Sequence, residues 1–232
     1  MKSQYRFYVE RELVSGCCFI AGPSLAYQLG RVLRLAGGDT VSLFGTNGRE
    51  FLATVDFEGR DVTLTPFRDV TVPREPAVRL TLLLALSKGD KPETQVQKCT
   101  ELGAAAFVFA PSRRSVARPR DTEARVKRLR RIACEAAEQC GRVTVPDISF
   151  GELCDTDTAP YDLKLVCSGP SGRPVPRRPE AVAVIAAVGP EGGFCGEELE
   201  YFAKRGFEEI SLGGLTLRSE TAAAAVCACL LI

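Results

Sequence analysis

The 232-residue chain balances 30 Lys and Arg against 29 Asp and Glu, for a formal net charge of +1, and contains no histidine. Near neutrality excludes a globally basic nucleic-acid binder, and the missing imidazole removes Ser-His and Cys-His nucleophile chemistry. With 45% hydrophobic residues the chain can bury a proper core.

No apolar run approaches the length of a membrane span, and the Met1-Lys2-Ser3-Gln4-Tyr5-Arg6 start lacks a signal peptide's apolar stretch. A cytoplasmic protein with no membrane partner is expected. The ten cysteines contain no Cys-x-x-Cys pair, so neither a disulfide framework nor zinc is expected, and no metal. Most lie in apolar contexts, which predicts buried, reduced, small hydrophobes.

In chain order, Tyr5 to Val9 alternates as a strand and Cys17 to Ile20 reads as another. Pro23 to Leu35 carries apolar residues at helical spacing and stops at Gly37-Gly38. Thr40 to Phe44, an Asn47-Gly48 turn, Glu50 to Phe57, a Glu58-Gly59 turn and Val62 to Phe67 then read as hairpin-linked strands. These short strands around one helix predict a small β-barrel-like domain over residues 1–72. Val72-Pro73-Arg74-Glu75-Pro76 reads as a linker, because two prolines discourage both helix and central strand.

Over residues 77–232 strands and helices alternate. Leu80 to Leu86, Ala105 to Phe109, Leu163 to Cys167, Ala181 to Val188 and Glu209 to Leu212 read as strands. Pro92 to Leu102, a long helix capped by Asp121 and ending at Gly141, Gly196 to Lys204, and the segment from Ser219 onward read as helices. Ser168 to Pro179 reads as a loop. This alternation specifies an α/β domain with a mainly parallel sheet. There is no Gly-x-Gly-x-x-Gly after the first strand and no Walker lysine, so dinucleotide and P-loop readings fail.

Charge is uneven. Between Arg113 and Arg131 nine Lys and Arg face only Asp121 and Glu123, whereas Glu191 to Glu209 is acidic. A basic stripe on a neutral chain is the local footprint that phosphates favour, although a solvated helix face has the same composition.

Two loops stand out. The Ala181 to Val188 strand runs into Gly189-Pro190-Glu191-Gly192-Gly193-Phe194, and the Glu209 strand into Leu212-Gly213-Gly214-Leu215-Thr216-Leu217-Arg218-Ser219-Glu220-Thr221. Glycines around a carboxylate let bare backbone approach a ligand. Alone, either loop reads equally well as a tight turn. Together, on neighbouring parallel strands, they would lie side by side at the carboxyl edge of a sheet, where α/β folds bind ligands.

These two segments resemble the RsmE-type family of 16S rRNA uridine-N3 methyltransferases, of the SPOUT superfamily. Further similarity lies in Arg6-Phe7-Tyr8-Val9, Val32-Leu33-Arg34-Leu35, Lys88-Gly89-Asp90, Gln97 to Gly103, Arg114-Ser115-Val116 and Glu135 to Gln139, so it spans nearly the whole chain. Gly213-Gly214-Leu215-Thr216 departs from the family's usual proline or arginine, and the chain ends early at Ile232.

The resemblance implies a PUA-like RNA-binding barrel over residues 1–72 and a SPOUT domain over 77–232 with a C-terminal trefoil knot. It implies a homodimer, S-adenosyl-L-methionine as methyl donor, and N3 of one uridine, family target uracil 1498, in the small ribosomal subunit's 16S rRNA. Gly189, Pro190, Glu191, Gly192, Gly193, Leu212, Gly213, Leu217, Ser219 and Thr221 are the expected donor-binding residues. Without histidine, N3 deprotonation falls to a carboxylate or a water, Glu220 before Glu191, and Arg218 is placed to offset charge on the uracil carbonyls. Arg6, Arg113, Arg114, Arg118, Arg125 and Arg128 are the expected phosphate contacts. A related SPOUT enzyme with another RNA site, an RNA-binding assembly factor without catalysis, and a flavodoxin-like nucleotide enzyme are the alternatives.

Overall fold

The computed structural model describes residues 5–115, 121–169, 172–177, 179–180 and 182–232. The chain divides into two units, one running to Glu75 and taking in Glu138–Thr144, the other comprising Pro76–Ala137 and Val145–Ile232.

In the first unit, β1 (Arg6–Tyr8), β2 (Phe19–Ile20), β3 (Asp39–Phe44), β4 (Glu50–Glu58) and β5 (Asp61–Asp69) form one sheet in the order β1-β3-β4-β5-β2. Only β1 pairs in parallel, with β3; the remaining pairings are antiparallel. Alternate residues of these strands, among them Val41, Leu43, Phe51, Val55 and Leu64, are buried together with Leu29. The helix expected over Pro23 to Leu35 is shorter and irregular. α1 covers Pro23–Tyr27 and gives way to a π-helical turn over Gln28–Val32, where the Leu33 N–H reaches back to Gln28 O at 2.9 Å. Gly30 sits under the Phe57 ring, which a Cβ would approach to 3.2 Å, and Arg34 at φ 55 ends the turn.

The second unit is built on a seven-stranded sheet in the order β10-β12-β9-β11-β6-β7-β8, with every neighbouring pair parallel. Its strands are β6 (Arg79–Ala85), β7 (Ala106–Ala110), β8 (Asp147–Phe150), β9 (Leu163–Cys167), β10 (Arg173–Pro174), β11 (Ala183–Val188) and β12 (Glu208–Ser211). Helices α2 (Lys91–Glu101), α3 (Thr122–Cys140), α4 (Gly196–Lys204) and α5 (Ser219–Leu231) complete it. The sheet is buried on both faces, which is why its central strands read as unbroken apolar runs. Leu80, Leu82, Leu84, Val184 and Ala186 pack in one cluster with residues of α2, α3 and α5. Leu83, Ala85, Ile185 and Ala187 turn the other way, onto Phe194, Phe202 and Phe207 around α4.

Three expectations change. β8 and the two-residue β10 are edge strands too short and polar to show a periodic signal. β11 and β12 are not neighbours, because β9 pairs with both. The cysteines are mostly not buried: only Cys99 and Cys227 are, while Cys17, Cys18 and Cys154 are exposed and the other five intermediate. All ten are free thiols. Among the described residues no helix is long and apolar enough to cross a membrane, and no group of acids and cysteines could hold a metal ion.

Candidate functional site

Parallel strands send their carboxyl ends to one edge of the sheet, and at that edge the loops after β9, β11 and β12 surround a cavity of about 340 Å³. This lies within the range of small-molecule sites. Cys167, Ser168 and Gly169 come from β9, Gly189 to Phe194 from β11, and Leu212, Gly213, Leu215, Thr216 and Leu217 from β12. Ser219 and Ala222 of α5 and Arg114 of the loop after β7 close the wall.

The β11 loop is a tight backbone turn. The Gly193 N–H donates to Pro190 O at 2.8 Å with Gly193 at φ 66. A Cβ on Gly189 would come within 3.1 Å of Gly193 Cα and 3.2 Å of Phe194 N, so any larger residue would crowd the turn. Phe194 then anchors the loop beneath the sheet, its ring 5.0 Å from that of Phe202.

The polar groups have distinct roles. Glu191 is ion-paired to Lys91 at the start of α2, and that hydrogen bond, with help from its own backbone N–H, holds its carboxyl below the usual range. Burial pushes the Cys167 thiol up to about 12, so it lines the cavity as a neutral group. Ser168 Oγ is buried in the cavity wall without a hydrogen-bond partner, a donor and acceptor waiting for one. At the start of α5, Ser219 Oγ lies 3.1 Å from Ser87 Oγ and donates to Glu220 Oε2 at 3.3 Å.

Of the residues expected to bind a ligand, Gly189, Pro190, Glu191, Gly192, Gly193, Leu212, Gly213, Leu217 and Ser219 all line this cavity. Thr221 does not; it is exposed on α5. Arg218, at the N-cap of α5, and Glu220, one residue inside, also stand outside the lining. Arg218 is exposed, its carbonyl accepts the Ala222 N–H at 2.8 Å, and its guanidinium has no hydrogen-bond or ion-pair partner among the described residues.

The expected phosphate contacts separate. Arg113 is exposed and paired with Glu197 at 3.1 Å, Arg128 with Glu93 at 3.3 Å, and the Arg125 guanidinium stands 5.6 Å from the Phe150 ring. Arg114 donates to Gly192 O at 2.7 Å and so belongs to the cavity wall. Arg118 lies outside the described residues. Arg6 donates to Glu50 Oε1 at 2.8 Å, covers the Phe44 ring at 4.1 Å and donates to the Arg142 carbonyl, so its charge is engaged inside the first unit.

Arg114 and the Cys167-Ser168-Gly169 turn were not expected in the cavity wall, nor Lys91 as the partner of Glu191. The turn carried a readable signal, since Leu163 to Cys167 also ends in a small-residue turn, the pattern that marked the other two loops. Lys91 carried none and Arg114 was marked only as a phosphate contact, because both arrive through tertiary placement of α2 and the β7 loop.

Residues 73–231 match the family model described as an RNA methyltransferase domain. The "Ribosomal RNA small subunit methyltransferase E" of Synechocystis is 30% identical over 227 residues, covering 94% of this chain and 74% of that protein. Among solved structures, a ribosomal RNA small subunit methyltransferase E from Neisseria gonorrhoeae bound to S-adenosyl methionine superposes with a TM-score of 0.87 at 27% identity, covering 97% and 95% of the two chains. A methyltransferase from Legionella pneumophila in complex with the same molecule gives 0.85 at 29% identity, covering 98% and 96%. The chain belongs to the RsmE-type RNA methyltransferase family.

Proposed function

We propose that this S-adenosylmethionine-dependent methyltransferase modifies N3 of one uridine, uracil 1498, in the 16S rRNA of the small ribosomal subunit. The observation that carries the reading is the glycine-walled cavity shared by the loops after β9, β11 and β12 in a chain of this family.

The cavity fits the donor. Backbone groups of Gly189 to Gly193 and Leu212 to Leu217 would hold the adenine, Val188, Ile210 and Leu217 offer apolar walls, and the unpartnered Ser168 Oγ gains a polar contact. When bound, the donor supplies a methyl group already activated on a sulfonium, so the protein has mainly to align the acceptor nitrogen.

Uracil N3 must lose its proton before it can attack. Glu191 is poorly suited as that base, because Lys91 stabilises its ionised form and lowers its basicity. Glu220 is better placed: it touches Ser219, whose hydroxyl lines the cavity, and a proton can pass through that hydroxyl to the carboxylate. The free guanidinium of Arg218 is available to offset negative charge on the uracil carbonyls. Phosphate contacts fall to Arg113, Arg114, Arg125 and Arg128, with the first unit, a PUA-like barrel in this reading, positioning the RNA.

A C-terminal trefoil knot is part of this reading. It is supported by the strand order, since the chain passes from β9 out to edge strand β10, returns to β11 on the far side of β9, and later inserts β12 between β9 and β10. A homodimer is supported by the exposed apolar Leu215 and Ile232 on the segment that carries the site. The test is methyl transfer to unmodified small subunits with Glu220→Gln and Arg218→Ala. Full transfer rates with unchanged donor binding would remove both residues from the chemistry.

A further inference from the structure

The β11 loop is tied to the basic turn after β7 by three separate contacts, and Glu198 makes the central one. Glu198 lies in the first turn of α4 and is only 9% exposed. One carboxylate oxygen accepts the Cys195 N–H at 2.8 Å, capping α4 directly behind the glycine loop. The other accepts the Arg113 N–H, also at 2.8 Å, from a different strand connection. On either side of this bridge, Arg114 donates to Gly192 O at 2.7 Å and Arg113 pairs with Glu197 at 3.1 Å.

The turn being held is itself rigid. The Ser115 N–H donates to Ser112 O at 3.0 Å, the Ser112 N–H to Ser115 Oγ at 3.1 Å, and the two hydroxyls lie 3.0 Å apart with both serines 5% exposed. A stiff turn presenting two arginines is therefore fastened through a buried carboxylate to the loop that walls the cavity. A solvent-facing capping glutamate needs only the α4 contact; the second prong has no part in ending a helix.

We propose that Glu198 is a positioning residue that couples RNA contact at Arg113 and Arg114 to donor binding at Gly189 to Gly193. The inference rests on the donor reading given above. Phosphates drawn to the arginine pair fix the Ser112 to Ser115 turn, the strap transmits that order to the Gly192 side of the cavity, and the donor finds a loop already set. Coupling is reciprocal, so donor binding tightens RNA to the same degree.

The test is titration calorimetry of S-adenosylmethionine into the full chain, with and without a short fragment of small-subunit rRNA. The wild type and Glu198→Gln, Arg114→Ala and the double variant are compared. Glu198→Gln keeps one carbonyl acceptor for one of the two N–H groups, and Arg114 is surface-exposed, so its variant keeps the fold even if the other does not.

RNA is expected to tighten donor binding by about tenfold in the wild type, within the roughly 5- to 150-fold span of typical couplings. Each single variant loses most of that gain, and the double variant is no worse than either single one, because all act through one strap. A merely structural glutamate would weaken donor binding equally with and without RNA, and that result would overturn the proposal. Additive effects in the double variant would do the same. Absence of wild-type donor binding would instead refute the donor reading itself.

Discussion

Lys91 and Glu191, exactly one hundred positions apart in sequence, form an ion pair that joins the first turn of α2 to the cavity loop after β11. It keeps Glu191 ionised below the ordinary carboxylate range. Replacing Lys91 with methionine should raise the Glu191 pKa towards the unperturbed value, as followed by carbon-detected NMR titration. The folded value is depressed, so the pair stabilises the protein above the unfolded carboxylate pKa, and the gain is lost as pH falls through the lowered folded value. Glu191 is half-exposed, so the effect on stability should be small. A pKa unmoved by Lys91→Met would show that the pair does not hold the carboxylate.

Gly189→Ala tests the turn. The added Cβ would meet Gly193 Cα at 3.1 Å and Phe194 N at 3.2 Å, backbone atoms that cannot swing aside. A cost of roughly 1–3 kcal/mol in stability is expected, as for other overpacked positions, with donor affinity falling by at least about tenfold. Urea unfolding and donor titration read the two effects separately. Donor affinity at the wild-type level would mean the loop does not wall the site.

Thiol chemistry should be ordered by exposure and thiolate access. Alkylation at neutral pH followed by peptide mass mapping should label Cys17 and Cys18 first. Cys154 is exposed too, but its hydrogen bond to Asp155 raises its pKa and slows it. Cys99, Cys227 and Cys167 should react only on unfolding, the last because burial holds its pKa at about 12. Early labelling of Cys167 would contradict its raised pKa.

The arginines divide into two groups with opposite signatures. Arg113→Ala, Arg114→Ala and Arg128→Ala should each weaken RNA binding and reduce the salt slope by about 0.7 per lost phosphate contact on single-stranded RNA. Arg6→Ala should leave the slope alone and destabilise the first unit by about 3 kcal/mol, because it leaves the buried Glu50 carboxylate with the Ser42 hydroxyl but no counter-charge. Filter binding across salt concentrations and denaturant unfolding distinguish these outcomes. A slope lowered by Arg6→Ala would return that residue to the RNA surface.

Much of this architecture was legible in the residues. Gly196 to Lys204 formed the helix its spacing predicts, and the β-branched run ending at Val188 formed a buried parallel strand because both its faces are covered. The strand order was not legible: nothing in Leu163 to Cys167 announces that it lies between β11 and β12. The partners of Arg6 were hidden for a related reason. Its partners Glu50 and Phe44 are distant in sequence, so the pairing that neutralises it exists only in the folded unit. The π-helical turn after Tyr27 likewise packs Gly30 against Phe57 of β4, a contact distant in sequence. Local periodicity predicts elements, whereas the third wall of the cavity and the Glu198 strap arise from packing between them.

The most direct test is transfer of labelled methyl groups from S-adenosylmethionine to unmodified small ribosomal subunits, followed by reverse-transcription mapping of the 16S rRNA. N3 methylation blocks the Watson–Crick edge of uracil, so a single stop at uracil 1498, abolished by Glu220→Gln, is the predicted result. Donor binding with methyl incorporation at another nucleotide, or at none, would contradict the assignment.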